Sequence, residues 1–278
     1  MLDGLIGSPH ASAGDRAAMA RLLAFLILVT PSVEAPVSLH DYDVGDLDGD
    51  GKPELAAISP DGRSVIVGGL AGARFEERTR TTVLQGGAYG LSEIAVLDVD
   101  GKGGCEVVVG GGVPGTGPDG GEGIVAVLAM EAGTLRLRGA APIPADLRGR
   151  PFAAADLDGD GDRELVVGTS WYDRSIHVFG LGADGLTPEC RIEAGGDLWG
   201  VLTRDADGDG LPEIWAFVGP WGAYDILCLE YDAARKGFVP RSRTPFGRET
   251  ALDAPGRPES VLAGLLWTED SLRPLAER

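Results

Sequence analysis

Asp46-Leu47-Asp48-Gly49-Asp50-Gly51-Lys52-Pro53-Glu54 recurs as Asp156-Leu157-Asp158-Gly159-Asp160-Gly161-Asp162-Arg163-Glu164 and again as Asp205-Ala206-Asp207-Gly208-Asp209-Gly210-Leu211-Pro212-Glu213. A looser copy reads Asp98-Val99-Asp100-Gly101-Lys102-Gly103-Gly104-Cys105-Glu106. A fifth, eroded, reads Ala251-Leu252-Asp253-Ala254-Pro255-Gly256-Arg257-Pro258-Glu259. The copies start at 46, 98, 156, 205 and 251, so one unit is 46 to 58 residues long. That period is too long for a leucine-rich or ankyrin unit and suits one four-stranded propeller blade. A short apolar run follows each of the first four loops, at 55–58, 107–109, 165–167 and 214–218. Pro60, Gly110, Gly168 and Gly219 break these runs, and a second strand-like run follows at 64–67, 124–128, 175–179 and 225–229. Continuous apolar runs of this length read as buried strands. The Gly-rich stretches 180–185 and 195–196 read as links between units. No helical period of ten residues follows the leader, although the tail at 271–278 suits one turn. The expected fold is all-β, a β-propeller of about five four-stranded antiparallel blades over residues 36–278.

Asp at positions 1, 3 and 5 with Gly at 6 is the pattern of a calcium loop. Alternate carboxylates converge on one point, Gly allows the sharp turn, and position 7 offers a backbone carbonyl, here from Lys52, Asp162 and Leu211. Three adjoining carboxylates repel one another unless a cation neutralises them. An EF-hand would need a bidentate Glu at position 12 and flanking helices. Position 12 is instead Ala57, Val167 and Ala216, inside the next strand, and the acid sits at position 9. About three Ca2+ sites are therefore expected. Loop two has Lys102 where the third carboxylate belongs, so its ammonium should take the place of the cation. The fifth copy keeps only Asp253, Gly256 and Glu259, with Pro255 at position 5, and is expected to be a structural relic.

These loops with their flanking strands resemble the FG-GAP/VCBS repeats of integrin-α-like β-propellers, over residues 40–264. Tyr89-Gly90 ahead of Asp98, and Gly111-Gly112-Val113-Pro114 after the next strand, carry the family pattern best; Trp199-Gly200 and Phe246-Gly247 are looser versions. The resemblance implies that each loop joins neighbouring strands of a blade and that calcium fixes its geometry. It implies as ligands Asp46, Asp48, Asp50 and Glu54; Asp156, Asp158, Asp160 and Glu164; and Asp205, Asp207, Asp209 and Glu213. That family more often has Asp at the ninth position. It also has seven blades, whereas residues 36–278 hold about five units of this length. The segment 37–44 is expected to close the ring by completing the last blade, protecting its edge.

Charge narrows the partners. The chain carries 43 acidic and 24 basic side chains, a formal net charge of −19. Nucleic acid and anionic membrane surfaces are disfavoured, since both need a surplus of Lys and Arg. Arg16 and Arg21 precede an apolar run at 22–29 and a small-residue exit, Thr30-Pro31-Ser32-Val33-Glu34-Ala35, the outline of a signal peptide over residues 1–35. Eight apolar residues cannot span a bilayer. The mature chain is expected to be secreted, periplasmic or at the cell surface, with no membrane span. Cys105, Cys190 and Cys228 fit neither a disulfide framework nor a zinc site and read as small buried side chains.

No Gly-x-Ser-x-Gly, His-Glu-x-x-His or phosphate-cradling loop is present. The Gly-rich segment 110–123 lies between two strands and reads as a hairpin. His40 reads as a solvated strand end, and His177 is expected to face outward from its strand. All five Trp lie beyond residue 170, and Trp171, Tyr172, Trp221 and Tyr224 occupy one connection in two successive units. They form a candidate aromatic platform for a sugar ring or a protein hot spot. The leading expectation is a non-catalytic, calcium-stabilised binding or adhesion module for a protein or glycan. The alternatives are a polysaccharide lyase or hydrolase, which needs an Asp, Arg, His or Tyr cluster away from the acid loops, and a purely architectural module.

Overall fold

The computed structural model describes residues 41–71, 74–85, 90–117, 120–144, 147–171, 173–219 and 224–246. The leader, His40, Tyr89, Tyr172, Trp221, Trp267, the fifth copy and the tail at 271–278 lie outside them. Sixteen strands form four antiparallel sheets of four, each strand paired with the next in sequence. Sheet one holds β1 (Tyr42–Gly45), β2 (Glu54–Ile58), β3 (Ser64–Ala71) and β4 (Arg74–Thr82). Sheet two holds β5 (Glu93–Leu97), β6 (Glu106–Gly117), β7 (Gly120–Glu131) and β8 (Thr134–Ile143). Sheet three holds β9 (Phe152–Ala155), β10 (Glu164–Gly168), β11 (Ser175–Gly182) and β12 (Gly185–Glu193). Sheet four holds β13 (Leu198–Arg204), β14 (Glu213–Val218), β15 (Tyr224–Asp232) and β16 (Gly237–Phe246). The described residues contain no helix, and so none long and apolar enough to cross a membrane.

The second strands show why their apolar runs are unbroken. Each is buried on both faces, and successive residues enter different cores, as the period of two requires. Ala56 and Ile58 pack with Val107 and Val109, joining sheets one and two. Val108 packs with Leu165 and Val167, joining sheets two and three. Val166 packs with Ile214, Ala216 and Val218, joining sheets three and four. Two further clusters each draw their described members from one sheet. Leu55, Ala57 and Ile66 lie on the far face of sheet one, and Trp199, Phe217, Tyr224 and Ile226 on the far face of sheet four.

Three expectations need correction. The described part of segment 37–44 belongs to β1 and pairs with β2 from Tyr42↔Ala57 to Gly45↔Glu54. A connection as tight as the acid loop leaves its two flanking strands as neighbours, so this strand serves the first sheet. Residues 180–185 are not a link between units: Gly180 to Gly182 lie in β11, Gly185 opens β12, and a two-residue turn joins them. Residues 195–196 do connect consecutive sheets. His177 is only 12% exposed rather than outward in solvent, because Asp173 folds against it. The segment 110–123 is a hairpin, its glycines running through the ends of β6 and β7.

Candidate metal centres

Each acid loop joins the first and second strands of a sheet, so all four described copies sit at the same end of their sheets. In loop one, the Gly49 and Gly51 N–H groups donate to the two carboxylate oxygens of Asp46, both at 2.8 Å. The Asp50 N–H donates to Asp48 Oδ1 at 3.2 Å and the Lys52 N–H to Asp50 Oδ1 at 2.8 Å. Loops three and four repeat all four bonds between 2.7 and 3.1 Å. The glycines at positions 4 and 6 have φ between +76° and +97° in these three loops, a conformation that L side chains adopt only under strain. The result is a backbone wrapped on its own carboxylates, with further oxygens left over. Asp46, Asp48 and Asp50 bring oxygens within 4.8 Å of one another, as do Asp205, Asp207 and Asp209. In the third copy Asp156, Asp158 and Glu164 do so. Converging hard oxygens of this kind suit a hard divalent cation.

Glu at position 9 has a task that its sequence position did not reveal. Glu54, Glu106, Glu164 and Glu213 are all buried. In each, Oε2 accepts the N–H of position 2: Leu47 at 3.1 Å, Val99 at 2.8 Å, Leu157 at 2.7 Å and Ala206 at 2.9 Å. The side chain therefore closes the loop onto the second strand, and only Oε1 remains for anything else. Burial pushes all four carboxyls above their ordinary range. The Glu164 carboxyl rises to about 7; the Leu157 N–H opposes the shift, and Asp158, Glu189 and Asp160 add to it.

Loop two also gathers Asp98, Asp100 and Glu106 within 4.8 Å, a convergence that its sequence did not lead us to expect. Positive charge is already present there. The exposed Lys102 ammonium lies 3.1 Å from Asp100 Oδ2. Arg163, from loop three, reaches Asp98 Oδ2 at 3.2 Å and the Asp98 carbonyl at 2.8 Å. Lys52 behaves similarly at the surface of loop one, 2.9 Å from Asp50 Oδ2, and holds that carboxyl below its usual range.

The opposite end of sheet three carries the one exposed member of the aromatic platform that the structure describes. Trp171 is 40% exposed, and the Arg148 guanidinium lies 4.5 Å from its ring centroid, within cation–π range. Tyr224 is excluded from the platform. It is buried, stacked on Phe217 at 4.7 Å and edge-on to Trp199 at 6.5 Å, because its strand turns it into the far core of sheet four.

The loop between β10 and β11 is held from below. Asp173, whose side chain is 6% exposed, accepts from Thr169 Oγ1 at 2.8 Å and contacts His177 Nε2 at 2.6 Å through Oδ2. Arg191 donates to Asp173 Oδ1 through Nε at 3.0 Å and Nη2 at 2.8 Å. His177 is covered because it stands opposite Arg191 in the β11–β12 register with Asp173 folded against it. Burial alone would raise the Asp173 carboxyl, but the bonds from His177, Thr169 and Arg191 outweigh it and hold the carboxyl at about 2. Asp197 accepts from the Trp171 N–H and from Arg174 Nε, both at 2.9 Å. Trp171 and Arg174 have φ of +61° and +52°, and such positions persist only where their surroundings enforce them. No local pattern in the sequence brings Arg191 to Asp173; the register that sets Arg191 opposite His177 does.

The three cysteines are free, and burial pushes the Cys190 thiol up to about 11 and the Cys228 thiol up to about 12, so neither is a nucleophile at neutral pH. Comparison of the chain with protein-family models and with curated proteins finds no match.

Proposed function

We propose that this chain is an exported, calcium-stabilised β-propeller of about five blades that acts as a non-catalytic binding or adhesion module for a protein or glycan. The observation that carries the reading is the acid loop built three times with the same four hydrogen bonds and three converging carboxylates, each loop tied to a buried Glu. Calcium is the natural occupant, since an extracellular module can use sites of 10⁻⁴–10⁻³ M affinity. The propeller reading draws support from consecutive four-stranded sheets packed face to face through shared cores. The ligand face is assigned to the end opposite the acid loops, where a hydrogen-bonded loop displays Trp171.

A binding screen against glycans and proteins, run with calcium and with chelator, tests the module. Trp171→Ala should weaken the bound ligand at least tenfold while the melting response to calcium stays unchanged. Full binding by that variant would move the ligand site elsewhere, and no ligand in a broad screen would favour an architectural role. The polysaccharide-enzyme reading gains one observation, the cluster of Asp173, His177 and Arg191. Asp173 and His177 are nearly closed to solvent and bonded to each other, with the exposed Arg191 clamped on the same carboxylate, which suits a brace better than an acid–base pair. Turnover of a uronic-acid polymer that disappears in His177→Ala would reverse this preference.

A further inference from the structure

The four acid loops share one backbone but not one electrostatic neighbourhood, and a β-bulge makes the difference. In every sheet the third and fourth strands slip by one residue, at Val67/Gly68, Val127/Leu128, Val178/Phe179 and Cys228/Leu229. Each slip leaves one residue of the fourth strand outside the register: Arg78, Arg138, Glu189 and Arg241. A bulge re-aims the side chain it carries. In sheets one and four the aim is the acid loop. Arg78 Nη1 lies 3.3 Å from Glu54 Oε1, and Arg241 Nη1 lies 3.0 Å from Glu213 Oε1 and 2.6 Å from Asp207 Oδ2.

Sheet three has the opposite charge at this position. Glu189 lies back across Gly180, where an added Cβ would collide with Glu189 Oε1, and Gly180 is the cross-strand partner of Glu164. Arg78 lies across Gly69 in the same manner. Arg163, the basic residue of loop three itself, is turned away to Asp98. In sheet two Arg138 turns to Glu131 at 4.0 Å, but Lys102 and Arg163 already stand on Asp100 and Asp98. Among the described residues, then, a cationic side chain touches loops one, two and four, while loop three is approached by a sixth carboxylate, after Asp156, Asp158, Asp160, Asp162 and Glu164. Glu164 is 5% exposed, its Oε1 has no hydrogen-bond partner among the described residues, and it is one of the three carboxylates that converge in loop three. Where a guanidinium holds Oε1, in Glu54 and Glu213, the glutamate is not among the converging three.

We infer that the bulge residue sets cation occupancy: loop three is the tightest site for a hard divalent cation of the calcium type, and Arg78 and Arg241 are built-in counter-cations that weaken loops one and four. The inference rests on the calcium reading above and adds a ranking to it. The ranking rests on contact rather than long range: Arg78, Arg241 and Glu189 are exposed, but the glutamates that they approach are buried, where a charge is less screened.

Calorimetric titration of the full chain with calcium tests this. One tight class of site should precede weaker ones. Asp158→Asn should abolish the tight class, whereas Asp48→Asn and Asp207→Asn should leave it. Glu189→Arg should weaken the tight site at least tenfold, Glu189→Gln less, and Arg241→Gln should tighten a weak site several-fold. Melting each variant in saturating calcium verifies that it is folded. A tight class that survives Asp158→Asn, or is indifferent to Glu189→Arg in a folded variant, overturns the ranking alone. No calcium binding at any loop overturns both the ranking and the calcium reading.

Discussion

Removing divalent cations with a chelator should lower the melting temperature by at least ~10 °C, and added calcium should restore it. A cation that binds only the folded chain stabilises it by about 2.7 kcal/mol per site at 100 times Kd. For a chain of this size roughly 2–4 °C accompanies each kcal/mol. Three sites of unequal affinity therefore suffice for the expected fall. The loops are prepared for this dependence, because carboxylates that converge within 4.8 Å repel one another without a counter-charge. Loop three should dominate, since among the described residues no cationic side chain touches its carboxylates and Glu164 joins the converging three. Asp158→Ala should thus remove more of the calcium response than Asp48→Ala or Asp207→Ala, and far more than Asp253→Ala in the eroded copy. Magnesium should restore less than half of the loss, because it demands compact octahedral geometry and gives up water reluctantly. A melt that does not move with chelator would rule out structural calcium.

The acid loops were legible in the sequence because the chemistry there is local. Asp46, Asp48, Asp50 and Gly51 determine one another's geometry within six residues, and a repeat at three places leaves little room for coincidence. The second and third strands were legible for a related reason: runs such as Val107 to Val109 are apolar throughout because both faces are buried. The first and fourth strands were not read, since sequences such as Arg74 to Thr82 are polar and short of pattern. Their places follow from pairing, which local propensity does not encode. The same limit hid the features that distinguish the loops. Arg78, Glu189 and Arg241 lie 24 to 28 residues from the glutamates that they approach, and only a one-residue slip between strands aims them there. Tyr224 and Trp171 looked equivalent by position, yet one faces the core of sheet four and the other solvent. Side-chain direction at the end of a strand depends on register, which the residues at that place do not state.

Asp173→Ala should cost about 2–3 kcal/mol of stability and lower ligand binding at least as far as Trp171→Ala, with calcium affinity untouched. The stability figure follows from the carboxyl itself, held at about 2 against an ordinary 3.8 while its side chain is only 6% exposed. Each tenfold change in proton affinity between the folded and unfolded chain is worth about 1.4 kcal/mol. The sign also predicts a pH dependence. A depressed folded-state pKa contributes stability that is fully present above the unfolded value of 3.8 and is lost as pH falls toward 2. The difference in melting temperature between the wild-type chain and Asp173→Asn should therefore be largest near neutral pH and should close between pH 4 and pH 2. Binding should fail for a geometric reason. Thr169 and Arg191 donate to this one carboxylate and His177 contacts it, below a loop whose Trp171 and Arg174 sit at positive φ. Without the brace the loop loses its support from below while Asp197 keeps its hold on the Trp171 N–H and Arg174 Nε, and the indole shifts from its place beside Arg148. Calcium binding should not follow, because the acid loop enters β10 at Glu164 and the Trp171 loop leaves it after Gly168, at the other end of the strand. A melting difference that stays constant from pH 6 to pH 2 would show that Asp173 acts through packing alone, and a variant with intact ligand binding would separate the brace from the binding site.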